Sequence, residues 1–222
     1  MLTLSVDTTA EFGSIALADA SGPREEVLLH APRGFSNVLF GAIEDLLARQ
    51  NVELQEIDLF AGASGPGSFT GVRVGLAAIK GLAEVLGKRA IAISNLEALA
   101  DFGATNARAV LIDARRGEVY AALYDGAGNP LVPEVVTPFE DFLTVLPKGD
   151  IEWISQDFAP FLPALAGARF AAGALREAPR AIAGVIARIA IRRAAQGLVW
   201  DPAAIEANYV RRSDAELLYV PA

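Results

Sequence analysis

Apolar and polar residues alternate over residues 2–7, which is the pattern of a β-strand with one buried face. A turn over 8–13 precedes a second apolar run over 14–18, which predicts a strand returning beside the first. Residues 25–30 predict a third strand after a further turn. We therefore expect the chain to open with β structure.

The next part of the chain contains two predicted helices. Residues 34–50 repeat apolar side chains at helical positions and predict a helix. A short apolar run over 57–63 predicts a buried strand, and the glycine-rich stretch 64–75 after it opens a second helix that ends near Gly87. The glycine-rich stretch is thus a strand-to-helix turn, the place where open α/β sheets usually bind ligands.

This turn matches neither of the common phosphate-binding motifs. Thr70 is followed by Gly-Val-Arg, so the Gly-Lys-Ser/Thr ending of a P-loop is absent. Gly65, Gly67 and Gly71 have the spacing G-x-G-x-x-x-G, which is not that of the dinucleotide motif. Two interpretations remain open: an anion site at a helix N-terminus, or a tight turn with close backbone packing.

The helix after the turn is apolar over roughly two thirds of its circumference. Its apolar residues form two stripes, one of Phe69, Val72, Leu76, Ile79, Ala83 and Leu86 and one of Val74, Ala78, Leu82 and Val85. We expect one stripe to face the sheet and the other a second layer or another chain, although burial within its own domain would give the same pattern. Gly67, Gly71 and Gly75 form a smooth strip that would let a neighbouring backbone approach closely.

The second half of the chain repeats the opening pattern. Residues 109–124 contain an apolar strand that again ends in aspartate, then a turn and a returning strand. This weak repeat predicts a duplicated α/β fold with subdomains over 1–103 and 104–222, the last residues packing back on the first. A strand is predicted over 151–155 and a long helix over 180–196.

Composition narrows the function classes. The 222 residues carry a formal net charge of −8, with a pI near 4.8, so the chain is expected to be a poor autonomous binder of nucleic acid. A local basic patch stays open at Arg188, Arg192, Arg193, Arg211 and Arg212. The absence of cysteine excludes disulfides and thiolate metal sites. No run is apolar enough for a membrane span and no signal-peptide pattern is present, so we expect a cytoplasmic protein.

Two aspartates stand at strand ends. Asp7 ends the first strand beside the hydroxyls of Thr8 and Thr9, and Asp113 ends the corresponding strand of the repeat. Such a carboxylate can hold a hydrated cation or a phosphate, or it can simply cap the turn. Because the single histidine, His30, is expected to be solvated, most metal and general-base sites are hard to build.

Four stretches together resemble one family. They are Val6–Thr9, Gly65–Arg73, Ile112–Tyr120 and Tyr209–Arg211. In this order they resemble the TsaB (YeaZ) family, the dimerisation subunit of the bacterial tRNA threonylcarbamoyladenosine synthase complex. The resemblance implies an α/β fold of the actin-like ATPase (ribonuclease H-like) type with two related subdomains. It also implies a place in a complex that transfers a threonylcarbamoyl group to the tRNA adenosine beside the anticodon.

The resemblance further implies a subunit that is not an enzyme by itself. The catalytic relative, TsaD, binds its metal through a His-x-x-x-His pair at the start of a helix, and the corresponding residues here, Gly34–Leu39, contain no histidine. We therefore expect no catalytic or metal-binding residue and no cofactor bound by this chain alone, ATP and a metal ion belonging to the complex. The expected partners are a TsaD-type subunit, a TsaE-type ATPase and, only through the complex, tRNA. A homodimer is the expected alternative when the chain is alone.

Pairing is expected to use the apolar surface of the two long helices that the sheet does not cover. The residues expected at that interface are Phe40, Leu47, Phe69, Arg73 and Leu76. The residues expected to be vestigial in phosphate binding are Asp7, Thr8 and Asp113.

Two other classes compete with this interpretation. A nucleotide-binding ATPase or kinase-like enzyme would use Asp7 and Asp113, as the implied fold allows. Against it, only Gly167 and Gly173 lie where such folds carry a glycine-rich adenosine loop. A peptidase lacks support, because the chain has no cysteine, one histidine and no metal-ligand pair.

Overall fold

The predicted opening strands form one side of a five-stranded sheet. Its strands are β1 (Thr3–Asp7), β2 (Phe12–Asp19), β3 (Gly22–His30), β4 (Leu59–Ala63) and β5 (Arg89–Ile93). Their order is β3-β2-β1-β4-β5, with β1–β2 and β2–β3 antiparallel and β1–β4 and β4–β5 parallel. β1 is therefore the central strand, and its carboxyl end lies at Asp7.

A second sheet repeats this arrangement. Its strands are β6 (Arg108–Arg115), β7 (Glu118–Tyr124), β8 (Pro130–Pro138), β9 (Glu152–Ser155) and β10 (Leu175–Glu177). Their order is β10-β9-β6-β7-β8, and β6 again has antiparallel partners on one side and parallel partners on the other. The two sheets share one topology, which confirms the predicted duplicated α/β fold.

The computed structural model describes residues 1–167, 174–198 and 201–210. Within these residues the chain divides into a first unit, 1–98 with 179–207, and a second unit that takes the rest. The division falls after residue 98, where the sequence predicts one after residue 103, and the last long helix packs on the first sheet. Gly173, Arg211 and Arg212, which figure in the sequence predictions, lie outside the described residues.

Six α-helices accompany the sheets in the described part of the chain. They are α1 (Leu39–Arg49), α2 (Phe69–Leu86), α3 (Asn95–Ala100), α4 (Phe139–Val145), α5 (Leu162–Gly167) and α6 (Ala183–Ala195). None of these described helices is long and apolar enough to cross a membrane. The helix predicted over 34–50 begins only at Leu39, because Gly34 has φ 92° and the preceding residues form a turn.

Helices cover both faces of the first sheet. The apolar sides of α1 and α2 pack in one core cluster with Leu4 and Val6 of β1. The intervening Ser5 points to the other face, where its hydroxyl donates to the Ala183 carbonyl of α6 at 2.7 Å. The outer surfaces of α1 and α2 are therefore on the same side of this unit.

A glycine strip of Gly67, Gly71 and Gly75 lies against the turn between β1 and β2. A Cβ added at Gly71 would come within 2.0 Å of the Thr8 carbonyl oxygen, and one at Gly67 within 2.5 Å of the Thr9 carbonyl oxygen. At Gly75 the added Cβ would come within 2.5 Å of the Thr8 hydroxyl. The close approach that the sequence predicts for this strip therefore occurs within the chain, not with a partner.

Replacing Gly71 by alanine should destabilise the protein by about 3 kcal/mol, the upper end of the range for overpacked sites. The cost is high because the Thr8 backbone, unlike a flexible side chain, cannot move away from the added Cβ. Gly81 provides a matched control in the same helix, since a Cβ added there meets nothing within 4 Å. Gly81→Ala should stabilise the chain by about 0.5–1 kcal/mol through helix propensity alone. Urea denaturation of both variants measures the difference, and equal effects would contradict the packing described here.

Candidate functional site

The carboxyl end of β1 carries a buried aspartate. Asp7 is only 3% exposed, and its Oδ1 accepts hydrogen bonds from the backbone N–H of Thr9 at 2.9 Å and from the Thr9 hydroxyl at 2.6 Å. The carboxylate thus caps the turn that follows it, which is one of the two roles that the sequence leaves open.

The same turn is bonded to the glycine-rich segment. The Thr8 hydroxyl donates to the Gly71 carbonyl at 2.7 Å, and the Ser68 N–H donates to the Thr9 carbonyl at 2.6 Å. Ser68 also caps α2, its hydroxyl accepting from the Gly71 N–H at 3.3 Å. The polar groups of both segments are therefore used within the chain.

Asn95, at the start of α3, completes this network. Its side-chain amide donates to the Thr9 hydroxyl at 2.6 Å, and its amide oxygen accepts from the Gly65 N–H at 2.9 Å. Sequence reasoning misses Asn95, because its partners lie 86 and 30 positions away and leave no local signal. The residue ties together the β1–β2 turn and the glycine-rich turn.

The electrostatics of Asp7 follow from its burial. Loss of solvent raises the pKa of the Asp7 carboxyl above its ordinary value, the hydrogen bonds from Thr9 and Asn95 act against this, and the charge of Glu26 adds to the rise.

Asp113 repeats one hydrogen bond of Asp7 in a more open setting, although Arg115 and Arg116 after it have positive φ and Thr8 and Thr9 do not. Its Oδ1 accepts from the Arg115 N–H at 2.8 Å, the same two-residue spacing as in Asp7 and Thr9. Its other oxygen lies 3.1 Å from the Arg115 guanidinium, and the side chain is 28% exposed. Both aspartates cap the turns that follow them, while a vestigial phosphate-binding role for Asp7, Thr8 and Asp113 stays a prediction.

The β3–α1 loop holds a phenylalanine where the family resemblance leads one to look for metal ligands. Phe35 is 3% exposed and belongs to the first core cluster. Its ring lies so close to Gly13 that a Cβ there would approach it to 2.7 Å. Among the described residues, no group of three His, Cys, Asp or Glu side chains is arranged to hold a metal ion.

The five predicted interface residues separate into two groups. Phe40, Phe69 and Arg73 are exposed, and the Arg73 guanidinium lies 3.7 Å from the centre of the Phe69 ring. Leu47 and Leu76, which we expected at the surface, are 6% and 5% exposed and lie in the first core cluster. Their expected surface position is wrong. On α2 the glycine strip fixes the rotation so that Val72, Leu76 and Ile79 face the core, while Phe69 of the same predicted stripe stays exposed. On α1, Leu47 packs in the same core cluster.

The surface of α1 and α2 that remains exposed is here called the outer helix face. It is defined by the apolar and glycine positions Phe40 on α1 and Phe69, Ala77, Gly81 and Val85 on α2, with the charged Arg73 and Glu84 among them. Val85 is 86% exposed, and Phe40 and Phe69 are 50% and 44% exposed. Large apolar side chains with this exposure on neighbouring helices are a feature of protein contact surfaces.

Comparison with known proteins supports the family resemblance seen in the sequence. Residues 29–179 match the family described as "TsaD: tRNA N6-adenosine threonylcarbamoyltransferase". The chain is 32% identical over 155 residues to TsaB of Bacillus subtilis (strain 168), a "tRNA threonylcarbamoyladenosine biosynthesis protein", covering 68% of each chain. TsaB of Escherichia coli (strain K12) is 36% identical over 134 residues, which are 58% of this chain and 57% of that protein, less than two thirds of its length.

A solved structure agrees with the sequence matches. YeaZ from Pseudomonas aeruginosa has a TM-score of 0.79 and 26% identity, covering 94% of this chain and 99% of that one. The two sheets and this likeness define the class: an α/β protein with two related subdomains of the ribonuclease H-like, actin-like ATPase type. Within that class, the chain belongs to the TsaB (YeaZ) family.

The burial of Asp7 predicts how stability responds to pH. Because the folded state holds the Asp7 proton at pH values where the unfolded chain has lost it, Asp7 should lower stability as pH rises above about 4. Asp7→Asn has no proton to lose and can accept the same bonds from Thr9. The free energy of unfolding of the wild type, minus that of Asp7→Asn, should therefore fall between pH 4 and pH 8 in urea titrations.

Asp19 supplies a control of opposite sign. Hydrogen bonds from Ser21 and Arg24 lower the pKa of the Asp19 carboxyl, so its stabilising effect is present at neutral pH and disappears as pH falls. The corresponding difference for Asp19→Asn should rise with pH. A flat or rising difference for Asp7→Asn would contradict a buried, charge-disfavouring site.

Proposed function

We propose that this chain is a non-catalytic partner subunit for N6-threonylcarbamoyl modification of the tRNA adenosine beside the anticodon. It acts by pairing with a TsaD-type catalytic subunit. Membership of the TsaB family supports the pathway, and the outer helix face is the observation that carries the pairing role. The face combines exposed Phe40, Phe69 and Val85 on two helices of one unit.

The proposal includes that this chain catalyses no reaction by itself. Phe35 fills the space beside Gly13 with an apolar ring, and Asp7 is buried and bonded to Thr9. We therefore infer that the chain contributes binding surfaces, and that other parts of the complex bind ATP and a metal ion. A TsaE-type ATPase is proposed as a further partner. A homodimer through the same face would exclude the TsaD-type subunit, since both would cover the same residues.

The alternative is a nucleotide-binding enzyme of the actin-like class that uses Asp7 and Asp113. The burial of Asp7 and the raised pKa of its carboxyl argue against it. Calorimetric titration of the purified chain with Mg-ATP separates the two functions. Hydrolysis or tight ATP binding by the chain alone would favour the enzyme.

Placing charge on the outer helix face should block pairing and leave the fold intact. Phe40 and Val85 are exposed in the free chain, so Phe40→Lys combined with Val85→Lys is tolerated there. In a complex, the two ammonium groups would lose water without partners, which costs several kcal/mol. We expect the dissociation constant for a TsaD-type subunit to rise roughly 100-fold or more, with threonylcarbamoyl transfer falling in parallel. Light scattering on a gel-filtration column measures pairing.

Leu28→Lys is the matched control. Leu28 is 50% exposed, as Phe40 is, and it lies in the same unit but on β3. Its replacement should change neither pairing nor transfer. Normal pairing of the Phe40/Val85 variant, or equal loss in the control, would show that the outer helix face is not the pairing surface.

A further inference from the structure

The hairpin that joins β6 to β7 holds arginine in a backbone conformation that arginine rarely adopts. Arg115 has φ 64° and Arg116 has φ 56°, both in the left-handed region, and Gly117 follows with φ 79°. The register of the two strands also shifts between Asp113 and Arg115, so Arg115 is part of a bulge. Such positions normally hold glycine or asparagine, because a Cβ is strained in the left-handed region.

The Arg115 side chain extends from this hairpin into solvent. It is 85% exposed, and its guanidinium lies 3.1 Å from Oδ2 of Asp113. No other hydrogen bond or ion pair joins this side chain to the part of the chain that the structure describes. Because a guanidinium has five N–H donors, most of those on Arg115 are available to a ligand.

Asp113 orients this arginine without covering it. One oxygen of the Asp113 carboxylate accepts from the Arg115 backbone N–H at 2.8 Å, and the other pairs with the guanidinium. The same carboxylate therefore holds both the backbone and the head group of Arg115. A side chain that is already oriented loses less conformational entropy when it binds a ligand.

The position in the second sheet favours ligand binding. Asp113 lies near the carboxyl end of β6, which pairs with parallel β9 on one side and antiparallel β7 on the other. Ligands of open α/β sheets bind at the carboxyl ends of the strands, where the strand order reverses. At the corresponding end of β1, Thr9 has the same spacing from Asp7, and its hydroxyl bonds Asp7 within the chain. The first unit thus uses this position internally, whereas the second unit presents a cation there.

The chemistry of the exposed group favours a phosphate. A planar guanidinium can donate two parallel hydrogen bonds to phosphate oxygens. The chain as a whole has a formal net charge of −8, so this arginine gives an acidic protein a local site for an anion. Backbone strain is characteristic of functional sites, and here it places a cation in solvent.

We propose that Arg115 binds a phosphate group in the assembled complex, either of the tRNA backbone or of a bound nucleotide. The inference rests on the function proposed above, which supplies the complex and both sources of phosphate. It adds a direct contact between this chain and a substrate or cofactor to the pairing role of the outer helix face.

Arg115→Gln tests the contact, because glutamine removes the charge and keeps a polar side chain. Two affinities of the assembled complex are measured: that for tRNA over a range of salt concentrations, by fluorescence anisotropy, and that for Mg-ATP, by calorimetry. Arg89→Gln is the matched control. Arg89 is also an exposed arginine, but it lies in the first unit at the start of β5, so its replacement should change neither affinity.

The two sources of phosphate give different results. If the phosphate belongs to tRNA, the slope of log K against log salt becomes shallower by about 0.7 to 0.9, and the affinity at 0.1 M salt falls roughly 5- to 8-fold. If it belongs to a nucleotide, the affinity for Mg-ATP falls roughly 10- to 100-fold and the tRNA slope stays unchanged. Either result supports the inference, and two unchanged affinities overturn it.

Arg115→Gly separates ligand binding from a role in the fold. Glycine relieves the left-handed backbone, so the midpoint of urea denaturation should rise while phosphate binding falls as it does in Arg115→Gln. A lower midpoint with unaltered phosphate binding would show that the arginine serves the fold, and it would overturn the inference.

Pairing distinguishes this inference from the proposed function. Normal pairing of Arg115→Gln with both affinities unchanged overturns the phosphate contact and leaves the proposed function standing. Weakened pairing with both affinities unchanged would make Arg115 a contact to an acidic protein surface, which also overturns the phosphate contact. If the wild-type chain fails to pair with a TsaD-type subunit, the proposed function fails, and the same two measurements on the chain alone decide whether Arg115 binds phosphate.

Discussion

The contact between the glycine strip and the β1–β2 turn decides the geometry of the first unit. No side chain fits at Gly67 or Gly71, because a Cβ would meet a backbone carbonyl at 2.5 or 2.0 Å. This brings the start of α2 onto the turn and fixes the rotation of the helix. Once that rotation is set, Leu76 must face the core, while Arg73, about 60° around the helix from it, reaches solvent.

The same contact explains why the chain's own groups fill the carboxyl end of β1. In α/β sheets this edge is where ligands are held, yet here the chain's own groups occupy it. The Thr8 hydroxyl bonds the α2 backbone, and Asp7 and Asn95 both bond Thr9. Asp113, which accepts the same bond from the N–H two residues further on, remains 28% exposed beside Arg115. Equal local sequence signals thus give different chemistry, because tertiary burial decides it.

The sequence predicts what depends on local pattern. The strands, the position of α2 and the duplicated strand-aspartate-turn unit all follow from periodicity and turn residues. The rotation of α2 does not, because both of its stripes are apolar and the glycine strip fits either an intrachain or an interchain contact. Asn95 and the stack of Arg180 on Phe12 are also invisible in the sequence, since their partners meet only when distant segments fold together.

Two glycines inside exposed helices remain unexplained by the stability of the chain itself. Gly41 of α1 and Gly81 of α2 have nothing within 4 Å of an added Cβ, unlike the glycine strip. Glycine in a helix interior lowers stability by roughly 0.5–1 kcal/mol relative to alanine. At Gly81, which lies on the outer helix face, the pairing proposed above would place a partner helix in that space. Under that proposal, the stability of the free chain and association make opposite demands at Gly81, and association prevails there.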